Sequence, residues 1–245
     1  MSLAVIGHRG ARFEAPENTL AGFAHAIALG LPAVEFDIRL SRDGELMVIH
    51  DATVDRTTNG AGEVSSFTAG ELAALDARSG FTEVALPCGV PTFDQVLDLL
   101  GPVGMAMFVE IKKDSPEREE RIVAGVLERL RARGLADRAT ITSFDPVALE
   151  FVVREAPDQR RGYIGAWDSD AFLDTALRLG CAQADMHHVS ASADMVRKAH
   201  DAGLTVVGWP CNTQDEVDRL IGWGVDAATS DAPTFVRAAL EAVGA

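Results

Sequence analysis

Residues 33–51 read A-V-E-F-D-I-R-L-S-R-D-G-E-L-M-V-I-H-D. Val34 to Leu40 and Leu46 to Ile49 are rich in apolar and β-branched types, and Asp43-Gly44 between them tolerates the positive φ of a tight hairpin turn. With Asp43 and Gly44 as a two-residue loop, Leu40 is expected to face Met47, Ile38 to face Ile49 and Asp37 to face His50. Glu35 and Asp37, two apart, share a face, with Val34, Phe36 and Ile38 behind them. An apolar strand does not bury two acids without a partner. A bound cation is the simplest partner, and a solvated face or a pair of salt bridges is the bland alternative.

Working outward from this hairpin, the chain alternates strand and helix. Leu3 to Gly7 is a short strand ending in His8-Arg9-Gly10, and A-P-E-N-T leads into a helix that Asn18 or Thr19 can cap. From Asp51 to about Pro91 the sequence is turn-rich, with a short helix over Glu71 to Leu75, and reads as a small excursion. Thr92-x-x-Gln95 and Thr213-x-x-Glu216 are capping boxes, and Ser115-Pro116 and Asp145-Pro146 open helices. Further strands are expected at Met105–Ile111, Ala139–Thr142, Gly162–Gly165, Ala182–Met186, Leu204–Gly208 and Val225–Thr229, with a last helix over Pro233–Val243. Setting aside the returning arm of the hairpin, this is a set of strands each followed by helix. It is an α/β chain expected to close as a (β/α)8 TIM barrel, with a small insertion after the second barrel strand. An open doubly wound sheet is the runner-up, but no glycine-rich phosphate loop follows the first strand, and Gly60 to Gly62 lies in a turn.

The 245 residues match the length of one such barrel, with no linker-like or low-complexity run, so residues 1–245 are read as one domain with 51–91 an excursion within it. At 47% hydrophobic the chain can build a large core. A net charge of −15 argues against a nucleic-acid backbone or an anionic membrane as partner. Cys88, Cys181 and Cys211 are odd in number, widely spaced and unlike a zinc set, which suits a reducing compartment. No secretory signal and no membrane-length apolar run is visible, and a cytoplasmic location is expected.

Barrel chemistry lies at the carboxyl ends of the strands. Here those ends carry His8-Arg9, Glu35/Asp37, Glu110/Lys112, Ser143-Phe144-Asp145, His187-His188, Trp209 and Ser230-Asp231. Glu110 and Lys112 are two apart, so both point inward, and Glu110 becomes a third carboxylate. Three carboxylates without Cys suit a hard cation, Mg²⁺ or Ca²⁺; a Glu110–Lys112 or Glu110–Arg9 ion pair is the structural alternative. Trp209 can stack on substrate carbons or simply pack. Of His187 and His188 at most one can line the pocket, because neighbours on a strand point to opposite faces. His25 and His200 read as surface or packing residues. Asp231 reads as a helix cap before Pro233, with holding a pocket group as the alternative, and Asp51 as a partner of His50 or Arg56. Cys211 reads as packing.

The ordered string H-R-G (8–10), P-E-N-T (16–19), E-x-D (35–37) and H-D (50–51), with R-T-T-x-G (56–60), E-I-K (110–112) and T-S-D-x-P (229–233), resembles the glycerophosphodiester phosphodiesterase family, over essentially the whole chain. The resemblance implies a TIM barrel that uses a divalent cation to hydrolyse glycerophosphodiesters to glycerol 3-phosphate and an alcohol. It implies Glu35, Asp37 and Glu110 as metal ligands, His8 and His50 as the acid–base pair, and Arg9 and Lys112 as phosphate contacts. Two departures, Phe108 where the family often has Asn and W-P-C-N (209–212) for W-T-V-N, bear on the alcohol more than on the reaction. The residues agree with this chemistry. A diester anion needs its charge neutralised, which a cation and the Arg9 fork can do. One histidine can take the nucleophile's proton while the other protonates the leaving oxygen. No G-x-S-x-G elbow offers a serine nucleophile. A lipid-directed, phospholipase D-like or phosphoinositide-type enzyme and a non-catalytic glycerophosphodiester-binding barrel are the alternatives. No membrane-directed patch supports the first, and the retained histidines and acids argue against the second.

Overall fold

The computed structural model describes residues 3–85, 87–167 and 169–244. Among them β1 (Ala4–His8) is followed by α1 (Leu20–Ala28), and β2 (Ala33–Leu40) by the return strand β3 (Leu46–Val48). α2 (Ala69–Ala73) lies in the excursion and α3 (Phe93–Leu100) after it. Then β4 (Ala106–Ile111), α4 (Pro116–Ala132), β5 (Ala139–Ser143), α5 (Pro146–Glu155), β6 (Arg161–Gly165) and α6 (Asp170–Arg178) alternate. β7 (Gln183–His187), α7 (Ala193–Asp201), β8 (Thr205–Trp209), α8 (Gln214–Trp223), β9 (Ala227–Ser230) and α9 (Pro233–Val243) complete the chain. All strands but β3 pair in parallel, and β1 joins both β2 and β9, so the sheet closes into a (β/α)8 barrel.

The helices start where the sequence gives them a cap. Thr19, Thr92, Asp145 and Thr213 accept backbone N–H groups of their first turns, and Pro116, Pro146 and Pro233 supply a preset φ there. Strand parity then separates two interiors. Val34, Phe36 and Ile38 point out against the helices, where Phe36 lies edge-on to Phe23 at 5.5 Å and tilted on Phe93 at 6.0 Å. Burying a side chain such as Phe36 contributes about 1.5–3 kcal/mol. The opposite face points in: Ile6, Ala33, Val207 and Ala227, with Ala106 and Phe108, fill the barrel beneath the mouth.

The hairpin register differs from the sequence expectation by one residue. Ile38 pairs with Val48, Arg39 with Met47 and Leu40 with Leu46, and the Ile49 N–H donates to the Asp37 carbonyl at 3.0 Å. The loop is three residues, 42–44, because Ser41 closes it. Its hydroxyl donates to Asp43 at 2.6 Å and accepts the Glu45 N–H at 2.9 Å, while Gly44 takes φ +87°. A one-residue shift turns the return arm over. Leu46 and Val48 join the main core, and Met47 and Ile49 turn to a second cluster with Val54, Val64, Leu72 and Val90 that holds the excursion together. α2 begins earlier than expected because the Thr68–Glu71 capping box starts it. His50 therefore does not face Asp37 on the ladder; it is carried to the mouth by the bend after Ile49, and its carbonyl accepts from Arg39 Nε at 2.7 Å.

Candidate active site

The mouth is built on the β1, β2 and β4 ends. Paired in register, β2 and β4 set Asp37 beside Glu110, and β1 sets His8 beside Glu35. Oxygens of Glu35, Asp37 and Glu110 lie within 4.8 Å of one another, and all three residues are buried. Two cations answer them: Lys112 Nζ is 2.6 Å from Glu110 and 3.4 Å from Asp37, and Arg9 Nε is 3.4 Å from Asp37. The Glu110–Lys112 ion pair of the bland alternative thus coexists with the convergence. Two cations cannot pair all three acids at once, the more so as Arg9 also binds Glu17 at 2.9 Å. Burial and the neighbouring Asp37 raise Glu35 well above its ordinary value and Glu110 to about 7, whereas Lys112 and Arg9 outweigh burial and hold Asp37 low. Glu35 Oε1 and Asp37 Oδ1 are buried acceptors with no hydrogen-bond partner among the described residues. Crowded buried carboxyls, two of them pushed toward holding a proton and with oxygens left without a hydrogen bond, fit a hard divalent cation that would take the proton's place.

The loop after β1 is held in an uncommon backbone shape. Arg9 (φ +51°) and Asn18 (φ +54°) are non-glycine residues in the left-handed region, and both address Asp37, Asn18 by an Nδ2 bond of 2.7 Å. Arg9 N–H also donates to Glu35 at 3.2 Å. Gly10, at φ +91°, passes so close to α1 that a Cβ would sit 3.0 Å from the Gly22 backbone. That approach accounts for the glycine of H-R-G.

Each histidine is held through Nδ1 by an aspartate. His8 bonds Asp231, which is fully buried and also receives Arg12 (2.6 and 2.8 Å) and Asn212 Nδ2 (2.8 Å). His8 Nε2 lies 3.7 Å from Glu35 Oε2. His50 bonds Asp51 at 2.5 Å; Arg56 bonds Asp51 at 2.7 Å and reaches Glu17 at 2.7 and 2.9 Å. Burial lowers both imidazoles below the ordinary histidine value against the pull of their aspartates. Arg56 and His50 hold Asp51 at about 2, against its burial.

The helix cap expected at Asp231 is not formed. Ala232 holds the cap position without a side-chain bond, and Asp231 turns inward to His8. Barrel closure is the reason: Gly7 pairs with Ser230, so the residues that follow meet across the seam. Arg12, which carries no signal in the sequence, and Asn212, the last residue of W-P-C-N, complete this grip. Asp51 takes both partners considered for it. His188 is buried against α8, with Arg219 at 3.0 Å and Glu216 at 3.3 Å, and His187 stands edge-on to Trp209 at 4.6 Å. His25 binds Glu14 and His200 binds Asp226, both at 2.9 Å and away from the mouth. Buried Cys211 has its thiol pushed up to about 12, which makes it a poor nucleophile.

A cavity of about 110 Å³ opens beside the acids, lined by His8, Arg9, Glu35, His50 and Glu110 on one side. Its other side is Phe108, Phe144, Ile164, Val207 and Trp209, with Thr142, Asp185 and Thr229 among them. Trp209 packs edge-on against Phe144 at 5.5 Å, and Lys112 Nζ stands 5.8 Å from the Phe144 ring centre.

The fold and this mouth define a (β/α)8 barrel with a buried acidic set at the strand ends able to hold a metal ion. The family model of the glycerophosphoryl diester phosphodiesterases matches residues 8–234, and the chain belongs to that family. A glycerophosphodiester phosphodiesterase of Caldanaerobacter subterraneus subsp. tengcongensis is 33% identical over 95% of this chain and 96% of its own length. The fold superimposes with a TM-score of 0.92 on an Oleispira antarctica phosphodiesterase solved with its product sn-glycerol-3-phosphate, at 30% identity over 98% of this chain and 97% of that one. A glycerophosphodiester phosphodiesterase of Agrobacterium tumefaciens matches at a TM-score of 0.83 and 27% identity, covering 96% and 99%.

Proposed function

We propose that the chain hydrolyses glycerophosphodiesters to glycerol 3-phosphate and an alcohol, as a single barrel domain with the 51–91 segment a small insertion within it. The observation that carries this is the convergence of Glu35, Asp37 and Glu110 within 4.8 Å, with His8 Nε2 3.7 Å from Glu35. Those three acids would hold one Mg²⁺ or Ca²⁺. When bound, the ion supplies charge neutralisation at the phosphoryl oxygens and acidifies the attacking hydroxyl. Arg9 and Lys112 add positive charge for the diester anion. Nδ1 of each histidine is committed to an aspartate, so Nε2 is the free nitrogen. One Nε2 takes the proton of the attacking oxygen as the new P–O bond forms. The other gives a proton to the leaving oxygen as the old P–O bond breaks, and each transfer contributes about 10²–10⁴-fold. Trp209 and Phe144 offer aromatic surface to the substrate's carbons.

The net charge of −15 and the buried cysteines suit a cytoplasmic enzyme acting on water-soluble diesters. Among the described residues, no helix is long and apolar enough to cross a membrane. The test is release of glycerol 3-phosphate from glycerophosphocholine, glycerophosphoethanolamine and glycerophosphoglycerol, with lysophosphatidylcholine alongside. Turnover of the three soluble diesters is expected, and the lysolipid is expected to be poor; release of choline from the lysolipid alone would overturn this reading.

A further inference from the structure

The strand that carries Glu35 and Asp37 carries a third polar residue on the same face. Strand parity sets Glu35, Asp37 and Arg39 in one row, while Val34, Phe36, Ile38 and Leu40 turn to the outer core. Arg39 is half-buried, yet among the described residues it makes no ion pair. Its guanidinium donates to two main-chain carbonyls instead: Nε to His50 at 2.7 Å, and Nη1, at a longer 3.4 Å, to Lys113. Those carbonyls belong to the segments that follow β3 and β4, the strands on either side of β2. The β2–β3 ladder has ended there, since Ile49 makes its last bond, and among the described residues the His50 main chain is held by no other hydrogen bond. The bond to Asp51 orients the His50 ring but does not fix where the main chain sets it.

We propose that Arg39 is a positioning residue: its Nε–H bond to the His50 carbonyl sets the His50 imidazole against the acids borne by the same strand. The inference rests on the reaction assigned above. A hydrogen bond from a charged donor is stronger and more directional than a neutral one, so it can hold a main-chain bend that no ladder holds. Proton transfer demands such a hold, because a misplacement of about 1 Å costs about 10²-fold in rate. The working feature is then the donor at Nε and not the positive charge. A charge acting on the diester, or on the ion among the acids, would show the opposite dependence. His8 needs no such brace, since β1 itself carries it to the mouth in register with Glu35.

Two substitutions separate donor from charge. Glutamine places Nε2 as many bonds from the main chain as arginine places Nε, so Arg39→Gln keeps the donor and drops the charge, whereas Arg39→Met drops both. With glycerophosphoethanolamine, Arg39→Met is expected to lose at least about tenfold in kcat with KM within about threefold, and Arg39→Gln to stay within about threefold of wild type. In a His50→Ala background, Arg39→Met should cost no more than about threefold further, because the group it positions is gone. Calorimetric binding of Mg²⁺ or Ca²⁺ by Arg39→Met should match wild type. An Arg39→Gln that falls as far as Arg39→Met overturns the proposal in favour of the charge, and a folded Arg39→Gln that loses tenfold does so even where Arg39→Met does not fold. A tenfold loss that persists without the His50 imidazole, or weakened ion binding in Arg39→Met, also overturns it. An active wild type matched by folded Arg39→Met sinks this proposal alone; a wild type inert on every glycerophosphodiester sinks the assigned reaction and this proposal with it.

Discussion

His8 and His50 both line the same cavity, and each is held through Nδ1 by an aspartate that an arginine holds in turn. The two supports are otherwise unlike. Asp231 comes from the far end of the chain, is 0% exposed, and gathers Arg12 and Asn212 around it. Asp51 is the next residue along from His50, its side chain is 29% exposed, and its Arg56 partner is 46% exposed. One imidazole is thus fixed by closure of the barrel and the other by a local turn of the excursion. Positions of buried, fully partnered groups are rigid and costly to disturb, while exposed ion pairs are screened and contribute little. Two imidazoles with the same kind of aspartate–arginine support can therefore depend on quite different parts of the fold.

The comparison can be broken at its centre by removing the imidazoles themselves. His8→Ala and His50→Ala are each expected to lower kcat by at least about 10²-fold with the far-ultraviolet circular dichroism unchanged. A near-wild-type kcat in either variant would take that histidine out of the mechanism.

The supports should separate more sharply than the histidines they hold. Asp231→Ala removes the buried acceptor of His8, Arg12 and Asn212 and leaves a space in its place, and a loss of about 1–3 kcal/mol in urea unfolding is expected. Asp51→Ala, at an exposed pair, should cost under about 1 kcal/mol. In kcat, Asp231→Asn is expected to fall about 10²-fold, by loss of the imidazole's held tautomer, and Asp51→Asn less than tenfold. Equal losses at both positions would mean that burial of the support does not matter.

Salt gives the smallest and finest contrast. Raising ionic strength toward ~1 M shortens the screening length to ~3 Å. The difference in kcat between wild type and Arg56→Ala should then shrink, while the Arg12→Ala difference persists because its aspartate is buried. A parallel response of the two variants would show both supports to be equally open to solvent.

Much of the mouth is legible in the sequence because its signals are local. Glu35 and Asp37 share a face by strand parity alone, as Glu110 and Lys112 do, and the capping boxes at Thr92 and Thr213 mark their helices without any tertiary information. The Asp231 contact is not local. In the sequence D-A-P looks like the start of a helix, and only closure between β1 and β9 brings it to His8. The hairpin register turned on Ser41, whose hydroxyl converts an apparent two-residue turn into three. Asn18 read as a possible cap, and its bond to Asp37 depends on a backbone with φ +54° that composition does not announce. Asp185 shows a missed signal of another kind. Gln183, Asp185 and His187 alternate on one strand face, so parity applied one step below the strand end would have placed the acid inside the barrel.

The claim beneath all of these is that Glu35, Asp37 and Glu110 together hold a divalent ion. Calorimetric titration of Mg²⁺ or Ca²⁺ into chelator-stripped protein measures it directly. Saturable binding of one ion per chain is the expected result, lost in Glu110→Gln and retained in Asp231→Asn. Binding unchanged in Glu110→Gln, or full turnover by protein shown to be free of metal, would contradict it.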